Sequence, residues 1–133
     1  MGNPDSVRIE PREVVVLVDD FDAAVAWYAD VLGFRETARF TEAHHYANLE
    51  TESGIRIGIA PAAEAGVAPE DRRNNNVILQ IATPDVKALL ARLRERGETV
   101  LFGPSYDEFG RFWYGAFADL EGNPIWVVDG NCP

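Results

Sequence analysis

Apolar residues recur with two different periods in the first half of the chain. A β-branched run at residues 13–18 predicts a strand. Asp20 is a good helix N-cap, and apolar side chains then return every three or four residues up to Leu32. This spacing predicts an amphipathic helix that ends at Gly33. Three strand-like segments follow, at residues 36–41, 46–51 and 55–60.

The same order of elements begins again after a stretch without periodicity. Residues 61–75 are rich in Pro, Ala, Gly and Asn, which predicts a linker. A strand at 77–81 follows, and then a helix with Thr83 as its N-cap and Pro84 at its first position. The helix is expected to end at Gly97. Three further strands are predicted at residues 98–102, 112–118 and 124–128.

The repeated order predicts an α+β fold of two βαβββ modules. We expect them to form a curved mixed sheet around a cleft, with the helices on the outer face. Module one spans about residues 11–60 and module two about residues 76–129. The chain of 133 residues has the usual size of one domain, so we expect residues 1–133 to form a single domain.

Composition narrows the set of partners. The formal net charge of -10 disfavours nucleic acid and anionic membranes as partners, because like charges repel. No apolar run approaches the roughly 18 residues that span a bilayer, and the N-terminus has no signal-peptide pattern. The single cysteine, Cys132, suits a reducing compartment. We therefore expect a cytoplasmic protein.

Two segments resemble one known superfamily. Residues 16–34, VLVDDFDAAVAWYADVLGF, are similar to the opening of vicinal oxygen chelate proteins, which include glyoxalases, bleomycin-resistance proteins and extradiol dioxygenases. Residues 117–125, FADLEGNPI, are similar to the closing turn and strand of that superfamily. The resemblance covers residues 11–129 and implies the fold. It leaves the function open, because the superfamily contains isomerases, lyases, dioxygenases, thiol transferases and antibiotic binders that catalyse nothing.

The resemblance also implies four positions for the ligands of a divalent metal ion. They correspond here to Glu13, Gly58, Asn76 and Trp126. Only Glu13 is a good oxygen donor, Asn76 is a weak neutral one, and the other two offer no side-chain ligand. We therefore expect no metal and no cofactor. Glu13 is the one candidate for a general base if any catalysis occurs.

Other residues are expected to face the cleft. Trp126 is out of phase with Ile125 and Val127, and Arg56 alternates with isoleucines. Arg56 could pair with Glu13 or meet an acidic group of a ligand. The loop at 107–111 could be a lid or an ordinary charged loop. The predicted ligand-binding residues are Glu13, Arg56, Asn76, Gln80, Phe109, Arg111, Trp113 and Trp126.

Two adjacent histidines, His44 and His45, lie at a predicted hairpin tip, and we expect them to be exposed rather than to bind a ligand.

Aromatic side chains concentrate between residues 102 and 126 beyond what the chain average predicts, and part of them must be core. Aromatic walls stack on flat or cationic molecules. The leading hypothesis is a metal-independent binder that sequesters or carries a flat or cationic natural product. The alternative is an enzyme of the isomerase, lyase or dioxygenase kind with a divergent or absent metal site, and a weaker one is a regulatory protein partner. Because proteins of this superfamily commonly pair, we expect a homodimer.

Overall fold

The computed structural model describes residues 12–68 and 77–133. In these two ranges, two helices and eight strands follow one another in the order that the sequence predicts. The elements are β1 (Val14–Val18), α1 (Phe21–Leu32), β2 (Arg35–Phe40), β3 (Tyr46–Glu50), β4 (Arg56–Pro61), β5 (Leu79–Ala82), α2 (Val86–Glu95), β6 (Val100–Asp107), β7 (Phe112–Ala118) and β8 (Pro124–Val128).

The strands form two sheets with the same topology. Sheet A has the order β1-β4-β3-β2, and sheet B has the order β5-β8-β7-β6. In each sheet the first pair, β1 with β4 and β5 with β8, is parallel and the other pairs are antiparallel. A parallel pair needs a crossover, which α1 and α2 supply. The α+β class and the two βαβββ modules are thus confirmed.

The caps of the two helices agree with the prediction at α1 and differ at α2. Asp20 caps α1 through a side-chain oxygen 3.1 Å from the amide of Ala23, and Gly33 ends it with φ of 75°. The cap of α2 is Asp85, which accepts from Ala88 N at 3.0 Å, and not Thr83. Pro84 therefore precedes the cap, and the helix begins after Asp85 and not at the proline.

One continuous core joins the two modules. Alternate residues of the central strands, such as Ile57, Ile59, Ile125 and Val127, are buried against the helices in a single cluster. The opposite face of each sheet is not part of that cluster, and we call it the open face. The open face of sheet A carries Val15, Tyr46, Asn48, Arg56 and Gly58. The open face of sheet B carries Gln80, Phe102, Phe112, Tyr114, Ala116 and Trp126.

The turn between β7 and β8 anchors α1. Asp119 is buried and accepts a hydrogen bond from the Tyr28 hydroxyl at 2.9 Å. The carboxylate of Glu121 accepts from the amides of Asp19 and Asp20, at 2.6 and 2.8 Å, at the start of the helix. Burial, and then the charge of Asp119, raises the pKa of Tyr28. The closing segment of module two therefore holds the helix of module one.

The predicted linker is ordered where it is described. Ala62 is buried and donates its amide to Val18 O at 2.8 Å, and Val67 N donates to Ala62 O at 3.0 Å. These bonds continue β4 into a compact turn. Residues 69–76, including the predicted site residue Asn76, lie outside the described residues. Within 12–68 and 77–133, no helix is long and apolar enough to cross a bilayer.

Candidate functional site

A hydrogen-bonded polar cluster lies on the open face of sheet A around Glu13. The Glu13 side chain is only 7% exposed, although it is charged. Asn48 Nδ2 donates to both of its carboxylate oxygens at 3.1 and 2.9 Å, and the Tyr46 hydroxyl donates to Oε2. The Arg56 guanidinium lies 3.4 Å from Oε1. A buried carboxylate is stable only with such partners, and these interactions supply them.

Gly58 makes room for this cluster. A Cβ atom at residue 58 would lie 2.0 Å from the Tyr46 hydroxyl and 2.9 Å from Glu13 Oε2. The tyrosine therefore occupies the space that a side chain at 58 would need. Burial is the largest cause that raises the pKa of Tyr46 to about 12, followed by its hydrogen bond to Glu13. The phenol thus holds its proton against the carboxylate at neutral pH.

At the three implied metal positions that the structure describes, the residues do not fit a divalent cation. Glu13 already accepts hydrogen bonds at both oxygens, Gly58 has no side chain, and the Trp126 indole is a donor only. In the part of the chain that the structure describes, no three His, Cys, Asp or Glu side chains are grouped closely enough to hold a metal ion. Hard cations need several oxygen ligands.

An aromatic surface covers much of the open face of sheet B. Trp126 is 45% exposed, and its partner across the ladder is Ala116, a small residue that leaves the indole uncovered. The Phe102 and Tyr114 rings lie 6.3 Å apart, and those of Phe112 and Tyr114 lie 6.0 Å apart. The sequence predicts that Trp126 lies on this face, and its pairing with Ala116 in the β7–β8 register agrees. We call Phe102, Phe112, Tyr114 and Trp126 the aromatic surface.

Gln80 and Trp113 lie on opposite faces of sheet B. Gln80 is exposed and pairs with Trp126 in the β5–β8 register, so it borders the aromatic surface. Trp113 instead packs against the core, beside Tyr106 and under Lys87 Nζ of α2 at 4.4 Å. The ladder partner of Tyr106 is Trp113, and the side chains of both point to the helix side. The structure therefore places Trp113 on the opposite face from Trp126.

The loop after β6 carries two further predicted residues. Asp107 Oδ1 accepts from the amides of Phe109 and Gly110 at 2.9 and 3.1 Å, which fixes the turn. The Phe109 side chain is fully exposed, and Arg111 has a left-handed backbone with φ of 59°. Neither side chain touches the aromatic surface through a described hydrogen bond or ring contact. Their role as part of a lid stays a prediction.

His44 and His45 lie between β2 and β3, and neither contacts the Glu13 cluster through a described bond. His44 is exposed, while His45 Nδ1 lies 2.6 Å from Glu64 Oε2 and its ring meets Phe21 edge-on at 5.5 Å. The hydrogen bonds from His45 lower the pKa of Glu64. These contacts pin the hairpin to the turn after β4, which is a structural role.

Three groups of the site were missed by sequence reasoning. Tyr46 and Asn48 alternate with the buried Ala47 and Leu49, so the alternation of β3 was the available signal. Phe102 was assigned only to a shorter strand. The face of the sheet on which Phe102 lies follows from the pairing of β6 with β7. The register of that pairing shifts both before and after Phe102. No pattern in the sequence alone reveals such shifts.

The fold and these signatures agree with a direct comparison to protein families. The profile of the Glyoxalase/Bleomycin resistance protein/Dioxygenase superfamily matches residues 11–127. The chain belongs to this superfamily. A comparison with curated proteins found no match to the chain.

Solved structures with the same fold include an antibiotic binding protein and a family enzyme. A superfamily member from Sphaerobacter thermophilus DSM 20745 has a TM-score of 0.74 at 18% identity, covering 92% of this chain and 98% of that one. TnmS3, described as an antibiotic binding protein from Streptomyces sp. CB03234, has a TM-score of 0.70 at 25% identity, with coverages of 93% and 98%. A family enzyme from Burkholderia phytofirmans PsJN has a TM-score of 0.69 at 18% identity, with coverages of 88% and 95%.

Proposed function

We propose that this protein binds a flat natural product on the aromatic surface, without a metal ion, and sequesters or carries it. The observation that carries the proposal is the exposed Trp126 within the aromatic surface, at the position where superfamily enzymes are expected to hold a metal ligand. Exposed aromatic side chains stabilise a stacked ring by about 0.5–1.5 kcal/mol per pair. The likeness to TnmS3, an antibiotic binding protein, supports the same reading.

The state of Glu13 favours binding over catalysis. A general base needs a free lone pair within reach of the proton it removes. Both Glu13 oxygens accept hydrogen bonds from Tyr46 or Asn48, and Arg56 offsets the charge. The carboxylate is thus organised as a fixed part of the wall and not as a reactive group.

The site is proposed to be completed by a second copy of the chain. The open faces leave large apolar side chains in solvent, among them Phe40 on sheet A, which is 54% exposed, and Phe102 and Trp126 on sheet B. Exposed apolar patches on a sheet indicate an interface or a ligand site. In the proposed homodimer the open face of sheet A in one copy lies near the open face of sheet B in its partner.

Titration of the purified protein with planar aromatic antibiotics, cationic and neutral, tests the proposal. We expect heat of binding by calorimetry with at least one compound, unchanged by a chelator. Trp126→Ala should weaken this binding by about tenfold, since a lost stacking contact is worth up to about 1.5 kcal/mol. Trp113→Phe is the matched control on the opposite face and should bind within about twofold of wild type.

Two results would contradict the proposal. One is a stoichiometric metal ion in protein purified without chelator, which would mean that the residues present do bind a metal ion. The other is turnover of a bound compound together with equal affinity of wild type and Trp126→Ala. Either result would favour the enzymatic alternative.

A further inference from the structure

We infer that the open face of sheet A recognises an oxygen substituent of the ligand, ionised or strongly hydrogen-bond accepting, through the guanidinium of Arg56. This inference rests on the proposed function and narrows it. The ligand would be a planar aromatic molecule with a carboxylate, a phenolate or a ring carbonyl at one end. It narrows the expectation of a flat or cationic ligand to a flat ligand that is not a cation.

The charged side chains on the described part of this face are paired, although the net charge of the whole chain is -10. Arg35 pairs with Glu50 at 2.9 Å, and Arg56 pairs with Glu13 at 3.4 Å. On this part of the face the negative charge of each glutamate is therefore offset, so an anionic or oxygen-bearing ligand meets less repulsion here than the net charge of the chain implies.

Arg56 is held in a position from which it can donate outward. Its side chain is 41% exposed, whereas that of Glu13, which anchors one of its nitrogens, is 7% exposed. A guanidinium has five N–H donors in a flat fork and matches a carboxylate or a pair of oxygens. The described contacts of Arg56 use only Nη2. The other donors on the exposed side remain available to a ligand.

The Glu13 cluster acts as the support for this guanidinium. Tyr46 and Asn48 hold the carboxylate in place, and the carboxylate in turn fixes Arg56. Tyr46 and Asn48 are positioning residues here, since their hydrogens are directed to Glu13. A donor whose orientation is fixed beforehand binds an acceptor without the entropy cost of ordering a long side chain.

The two open faces therefore differ in chemistry. On the described part of sheet B, the aromatic surface is bordered by the neutral Gln80, and Asp107 Oδ1 accepts the amides of its own loop. Sheet B offers stacking, and sheet A offers a positive hydrogen-bond donor. A flat ring with an oxygen substituent satisfies both faces, whereas a flat cation would meet Arg56 with like charge.

A matched pair of probes tests this: anthracene carboxylate and anthracenyl methylamine, which share one ring system and carry opposite charges. Fluorescence titration should show that the carboxylate binds roughly tenfold more tightly than the amine, because charge-assisted hydrogen bonds are the stronger ones. Arg56→Gln should remove this preference. Arg35→Gln loses an exposed arginine that is already paired with Glu50. This variant should change the preference for the carboxylate by less than about twofold.

Arg56→Lys guards against an effect of misfolding. This variant keeps the positive charge but loses the planar guanidinium with its several donors. It should therefore fold and retain a smaller preference for the carboxylate. Equal binding of the two probes, with both weakened by Trp126→Ala, would overturn the inference and leave the proposed function standing. An unaltered preference in Arg56→Gln would also overturn it. If no planar compound binds at all, the proposed function itself fails.

Discussion

At the scale of single residues, Gly58 controls how closely Tyr46 approaches Glu13. Gly58→Ala would place a methyl group 2.0 Å from the Tyr46 hydroxyl, so the phenol must move and its hydrogen bond to Glu13 is lost. Overpacking and a lost hydrogen bond to a charged group together should cost about 1–3 kcal/mol. Urea unfolding followed by circular dichroism measures this loss.

Gly130→Ala is the control for that change, because nothing lies within 4 Å of a Cβ atom at residue 130. It should alter the free energy of unfolding by less than about 0.5 kcal/mol. If both glycine variants unfold at the same urea concentration as wild type, the Tyr46–Glu13 contact is not formed in solution.

Tyr46 also predicts a pH dependence of stability. Its pKa is raised in the folded protein from 10.0 to about 12, so the folded state keeps this proton after the unfolded state has lost it. The corresponding stability is fully present below pH 10 and is lost as pH rises through about 12. The difference in tyrosinate absorbance between wild type and Tyr46→Phe should show one group that titrates near pH 12. A midpoint at the ordinary tyrosine pKa would contradict the described cluster.

At the scale of elements, the β7–β8 turn is expected to contribute more stability than a surface turn usually does. Asp119 Oδ1 accepts the amides of Glu121 and Asn123 at 2.9 Å each, while Oδ2 accepts from Tyr28. Asp119→Ala leaves these donors without a partner and should cost about 2–4 kcal/mol. Glu108→Ala, in an exposed loop, is the control and should cost less than about 0.5 kcal/mol.

A double-mutant cycle tests whether this turn anchors α1. Tyr28→Phe alone should cost about 1–1.5 kcal/mol, the usual worth of one hydrogen bond. The costs of Tyr28→Phe and Asp119→Ala should not add, and the shortfall should be about 0.5–2 kcal/mol. Additive costs, measured by urea unfolding, would mean that the two side chains do not interact.

The elements were predictable to the extent that local chemistry fixes them. Helix α1 begins and ends where Asp20 and Gly33 place its caps, and the bounds of β7 and β8 agree with the turn residues beside them. The cap of α2 was placed two residues early, because Thr83 and Asp85 both suit a cap and the proline directly after Thr83 favours the wrong one.

The site was less predictable, because it depends on which strands are neighbours. Trp126 and Arg56 could be assigned to a face from alternation within one strand. Trp113 shares the face of the buried Phe117, four residues later, but β7 is apolar or small throughout, so its sequence does not show which face is buried. The partners of Glu13 come from β3 and β4, and only the sheet order brings Tyr46 beside a residue 33 positions earlier.

At the scale of the whole molecule, the open faces account for the expected pairing of two chains. Exposed apolar side chains on both sheets are costly to leave in water, at about 25 cal/mol per Å². A stable dimer buries about 1,600 Å² in total, and two open faces meeting two others offer a surface of that kind. Sedimentation of the wild-type protein at micromolar concentration should therefore give the mass of a dimer.

Phe40→Glu is the variant that tests this assembly. Phe40 is 54% exposed on the open face of sheet A, so the change leaves the core intact but places a charge in the proposed interface. It should shift the protein to monomers and also weaken ligand binding, because the proposed site includes both copies. Leu120→Glu, equally apolar and 40% exposed but in the β7–β8 turn, should remain dimeric. Full ligand affinity in a monomeric Phe40→Glu would place the complete site within one chain, with the aromatic surface of sheet B and Arg56 of sheet A acting in the same molecule.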